Sequence, residues 1–85
     1  MTTATTTEIP QADTQIDARG SFCPGPLLEL IRGVKSSAVG GVLEVLSSDP
    51  GSNKDIPLWI AKAGHEFIVA IHEDGYSRFV IRKLH

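Results

Sequence analysis

The chain has 85 residues, 41% of them hydrophobic and 21% charged, and eight basic against ten acidic side chains leave a net charge of -2. That balance argues against a general nucleic-acid binder, which gathers a basic excess on one face. A single cysteine, Cys23, rules out an internal disulfide and so a disulfide-stapled secreted scaffold, and no apolar run approaches the roughly 18 residues needed to span a bilayer.

Residues 1–14 are rich in threonine and poor in large apolar side chains, so they read as a disordered tail preceding one domain over 15–85. The tail has neither the basic start nor the apolar run of a signal peptide, which makes a cytoplasmic protein the expectation. Ile16 and Ala18 alternate with Asp17 and Arg19 as a short strand ended by Gly20. Over 24–37, Leu27, Leu30, Ile31 and Val34 recur at helical spacing and Leu28 widens the stripe, while Gly33 weakens it. VLEVLS (42–47) is apolar enough for an internal strand. Asp49-Pro50-Gly51 turns the chain, and Ser52 or Asn53 is placed to cap a second helix through residue 63. There Ile56, Trp59, Ile60 and Ala63 share a face, Pro57 fits only in the first turn, and Gly64 ends the helix. HEFIVAIHE and YSRFVIRKL form a hairpin across Asp74-Gly75.

The order βαβαββ supplies two helices for one face of a four-stranded mixed sheet. The expected fold is therefore α+β, a two-layer α/β sandwich. Phe79 and Ile81 should face its core, with Arg78 and Arg82 on the open face.

The segment Phe22-Cys23-Pro24-Gly25-Pro26 joins the first strand to the first helix. With Cys23 as N-cap, Pro24 and Pro26 fall at the first and third helical positions, and the backbone donors left are those of Cys23 and Gly25. On that geometry the Gly25 N–H reaches the Cys23 sulfur. The positive end of the helix dipole then favours the thiolate over the thiol. A lone cysteine is more often a buried, inert hydrophobe. The helix-start position behind two prolines favours a reactive sulfur instead.

In these residues the chain resembles the TusA/SirA-like family of sulfur carriers. The blocks are Asp17-Ala18-Arg19-Gly20, Cys23-Pro24-Gly25-Pro26, Ser48-Asp49-Pro50, Asp55-Ile56-Pro57 and Phe79-Val80-Ile81-Arg82-Lys83, in order from Ile16 to Leu84. The resemblance implies the same βαβαββ fold. It also implies a sulfurtransferase of the carrier kind, with Cys23 accepting sulfane sulfur as a persulfide and passing it to another protein. Donors in such a family are a cysteine desulfurase, a rhodanese or a DsrE-type protein. The routes lead to tRNA thiolation, molybdenum cofactor synthesis or dissimilatory sulfur oxidation. Some relatives place a second cysteine after the Asp-Ile-Pro block; here Leu58-Trp59-Ile60 stands there, so no resolving disulfide forms within the chain.

Helped by the same resemblance, Arg19, Asp49, Lys54 and Asp55 are candidates for a docking rim beside Cys23. The plainer reading of Lys54 and Asp55 is a solvated helix start. His65, His72 and His85 lack ligand spacing, so neither metal nor cofactor is expected. Nucleic acid and membrane are not expected partners. The competing function is a regulatory or interaction module that binds through the open sheet face and leaves Cys23 idle. An RNA-binding module would rest on fold analogy alone.

Overall fold

The structure, a computed structural model, describes residues 11–22 and 24–85; residues 1–10 of the expected tail, and Cys23, lie outside the described residues. The elements run β1 (Thr14–Asp17), α1 (Gly25–Ser36), β2 (Val42–Ser47), α2 (Ser52–Ala63), β3 (Glu66–Glu73) and β4 (Tyr76–Arg82). They build one mixed sheet in the order β1-β2-β4-β3, in which β1 runs parallel to β2 and the other neighbours are antiparallel. This is the expected α+β architecture.

β2 takes an interior position because four of its six side chains, two on each face, are apolar, and all six of its residues are buried. Leu43 and Val45 face the helices, where they meet Leu30 and Val34 of α1, Ile56 and Ile60 of α2, and Phe79 and Ile81 of β4. Each such fully buried side chain contributes about 1.5–3 kcal/mol. Gly33 lets α1 approach closely. A Cβ there would stand 2.5 Å from Ile16 Cδ1 and 3.2 Å from Leu43 Cδ2. The glycine that weakens the helix in sequence is thus a packing residue.

Several local expectations are corrected. The sheet reaches further toward the N-terminus than composition suggests: Thr14 is in β1, and Asp13 N–H donates to the Val42 carbonyl at 2.8 Å. Leu28 does not widen the core stripe but is half exposed. Ser52 is no cap; Gly51 holds that position, and the Ser52 hydroxyl pairs inside with Ser47 Oγ at 2.7 Å. Pro57 sits in the interior of α2, beyond its first turn. The chain winds before the helix proper, with Ser52, Asn53 and Lys54 N–H groups bonded three residues back to Asp49, Pro50 and Gly51. Pro57 has no N–H to donate to the carbonyl of Asn53, an exposed residue four positions back, so α2 lacks one bond there.

The open face holds a buried carboxylate. Glu44 is 5% exposed and accepts from Gln15 Nε2 at 2.8 Å and Arg78 Nε at 2.6 Å. Arg78 also reaches Glu73 at 3.2 Å, and Arg82 pairs with Glu66 at 3.3 Å. These arginines serve the sheet. Arg78→Met leaves Glu44 with its charge and without its cation, and should cost about 1–3 kcal/mol, read as a lower urea midpoint. Adding Glu44→Gln should recover part of that loss, because the remaining group is neutral.

Candidate functional site

Parallel pairing of β1 and β2 brings their C-terminal ends to one edge of the sheet, where both helices also begin. The loop after β1 is fixed there by backbone and side chain. Ala18 N–H donates to the Leu46 carbonyl at 2.9 Å, and Ser21 N–H to the Ala18 carbonyl at 3.2 Å. Gly20, at φ 89°, takes a left-handed conformation that suits glycine, and its N–H donates to Ser48 Oγ at 2.9 Å. That bond ties the loop leading to Cys23 to the β2–α2 loop.

At the start of α1 the structure departs from the expected cap. Pro24 is the N-cap, at φ -90° and ψ 14°, Gly25 is the first helical residue, and Pro26 is buried behind it. With ψ near zero at Pro24, the next N–H points back along the chain. The Gly25 N–H accordingly donates to the Phe22 carbonyl at 2.7 Å, tying the residue before Cys23 to the residue after Pro24. The donor expected to serve the Cys23 sulfur is therefore engaged by backbone. The helix start also offers a negative charge the positive end of its dipole.

The four rim candidates separate into different neighbourhoods. Arg19 turns toward Asp17, with Nη2 at 2.8 Å and Nε at 2.9 Å from the carboxylate, and its guanidinium lies 4.9 Å from the Tyr76 ring centre. Asp49 lines a cleft of about 250 Å³ with Ser48, Asn53, His72 and Tyr76. Asp55 lines another, of about 190 Å³, with Leu27, Leu58, Trp59 and Lys62. Lys54 is exposed on the first turn of α2. Asp55 shares its cleft with Leu27 of α1.

Apolar surface is what the sequence reading overlooked. Phe22 is 81% exposed, Pro24 is exposed, and Leu28 and Leu58 are half exposed. Phe22 carried a signal: it is a large apolar residue on a loop, outside any strand or helix periodicity. Leu28 and Leu58 carried less, since each sits one position from a core residue on its helix.

Asp17 is the strongly perturbed acid here. The Arg19 side chain, then its backbone N–H, hold its carboxyl down at about 2. The carboxyl is solvent-exposed, and its depressed value places the pair's contribution above pH 3.8, to be lost as pH falls through about 2. A carboxyl-carbon NMR titration should give that midpoint, and Arg19→Met should move it up toward 3.8. Among the described residues no three His, Cys, Asp or Glu side chains stand together as a metal site, and no helix is long and apolar enough to cross a membrane.

Comparison with known proteins agrees with this architecture. The family model described as sulfurtransferase TusA matches residues 14–83. A protein of Archaeoglobus fulgidus, provisionally named a sulfur carrier protein, is 56% identical over 69 residues, covering 81% of this chain and 94% of its own. The sulfur carrier protein TusA of Pseudomonas syringae is 38% identical over 71 residues, covering 84% of each chain. The crystal structure of a SirA-like protein from Desulfitobacterium hafniense superposes with a TM-score of 0.74 at 23% identity, over 85% of this chain and 99% of that one, a likeness of fold. With the family model spanning nearly all of the folded chain and relatives this similar, the chain belongs to the TusA family of sulfur carrier proteins.

Proposed function

We propose that Cys23 is the covalent sulfur site, carrying sulfane sulfur as a persulfide between a donor protein and an acceptor protein. The observation that carries this reading is the Cys23-Pro24-Gly25-Pro26 run at the entry to α1 in a sulfur-carrier family member, flanked by an exposed Phe22 and an exposed Pro24. In the loading step a Cys23 thiolate attacks the outer sulfur of a donor persulfide. The donor's sulfur–sulfur bond breaks, a Cys23 persulfide forms, and the donor leaves as its thiolate. Delivery repeats the exchange with an acceptor thiolate. No net oxidation occurs, so neither step calls for a cofactor.

The donor belongs to the class of cysteine desulfurases, rhodaneses or DsrE-type proteins. The route ends in tRNA thiolation, molybdenum cofactor synthesis or sulfur oxidation, in a reducing compartment such as the cytoplasm. The open-face alternative has no comparable support, because Arg78 and Arg82 are already paired with Glu44, Glu73 and Glu66. Intact-mass analysis after incubation with a sulfane donor tests the proposal. A gain of about 32 Da, removed by reductant, is expected. A chain whose mass does not change overturns it.

A further inference from the structure

At the end of α2 remote from its start, residues 84 and 85 fold back onto the helix. Lys83 is anchored on its own, exchanging backbone bonds with Gly40 and Gly41 at 2.7 and 2.9 Å and placing its Nζ 2.8 Å from the Ser37 carbonyl. Leu84 and His85 are held differently. The Leu84 N–H donates to His65 Nδ1 at 3.1 Å, His85 Nε2 donates to the Ala63 carbonyl at 2.8 Å, and the two imidazoles stack with centroids 4.6 Å apart at 20°. The ring of Trp59 in α2 lies tilted to His65, with centroids 6.1 Å apart.

This geometry fixes a protonation state. A nitrogen that accepts the Leu84 N–H bears no proton of its own, so His65 is neutral and carries its hydrogen on Nε2. Protonation at Nδ1 would turn the acceptor into a second donor facing an N–H. It would also place an imidazolium against His85 and near Lys83, the titratable groups that act on this ring; α2 contributes the uncharged Trp59. From these contacts we infer that Leu84-His85 is a pH-sensitive latch on the C-terminal end of α2, closed while His65 is neutral and released when it is protonated.

The electrostatics agree in sign. Burial first, then His85 and Lys83, lower the affinity of His65 for a proton. A depressed histidine stabilises the closed form above its ordinary value of about 6.5 and loses that contribution as pH falls through the folded-state value. Release therefore takes up one proton, and its midpoint lies below about 6.5. Trp59 also lines the cleft with Leu27 and Leu58 beside α1, so opening the latch alters the wall of a surface groove at the helix pair.

The test is an NMR titration of the whole chain from pH 8 to 5, following the His65 ring carbons and the Leu84 amide, with Trp59 fluorescence in parallel. The expected result is one shared midpoint below about 6.5 for all three signals, with faster Leu84 amide exchange on the acid side. His65→Gln should abolish the fluorescence step, while His72→Gln keeps it. A Leu84 amide that stays protected after His65 has titrated, or a His65 midpoint at or above the ordinary value, overturns the inference without need of any variant.

Discussion

Cys23→Ser should take up no sulfur from a sulfane donor and pass none to an acceptor, a complete loss rather than a slowed rate. A hydroxyl at neutral pH is not a nucleophile of useful strength toward a sulfur–sulfur bond, and the thiolate is the species that performs the exchange. The unchanged chain should gain about 32 Da and the serine variant nothing, in the same mass measurement. A urea titration of both separates lost chemistry from lost fold. The fold rests on Leu30, Leu43, Val45, Ile56, Ile60, Phe79 and Ile81, residues distributed over two helices and two strands. An unfolding midpoint close to that of the parent is therefore expected. If Cys23→Ser loads sulfur, or keeps the protein's full activity in a sulfur-transfer assay, the open-face module becomes the better account.

The fold was legible because its signals are periodic or positional. The apolar run VLEVLS, the helical recurrence of Leu27, Leu30 and Val34, and Asp74-Gly75 between two apolar runs each specify one element, and the sandwich follows from their order. What escaped depends on contacts between distant residues. Nothing local distinguishes Glu44 as a buried carboxylate, since Arg78 lies 34 positions away and meets it only through the β2–β4 register. Ser52 reads as a cap until Ser47 is seen across the turn. At the site, the motif located the loop and the helix start. The destination of the Gly25 N–H was not legible, because it is decided by the ψ angle of Pro24, which the proline ring leaves unspecified. The setting of Arg19 was hidden for a related reason. Arg19 finds Asp17 two positions away and the Tyr76 ring before it can face a partner.

Phe79→Ala should lower the unfolding free energy by about 3–5 kcal/mol. A domain of this size has roughly 4–12 kcal/mol in all, so the variant is left marginal or unfolded at room temperature. The cost comes near the upper end because the site cannot collapse. β4 lies between β2 and β3, with Phe79 registered opposite Val45 on one side and Ala70 on the other, so both ladders hold its backbone in place. From the helix layer Leu30, Ile56 and Ile60 complete the same core cluster. The hole left by the ring is then lined by side chains that are themselves pinned, and its walls lose dispersion contacts with nothing to replace them. Phe79→Leu keeps most of the volume and should cost well under half as much. The matching control is Phe22→Ala, where the ring is 81% exposed and the change in stability should stay within about 0.5 kcal/mol. Urea titrations of the three variants read all of this at once. Equal losses at Phe79 and Phe22 would mean that the sheet core described here does not carry the fold, and that the aromatic beside Cys23 is packed rather than presented to a partner.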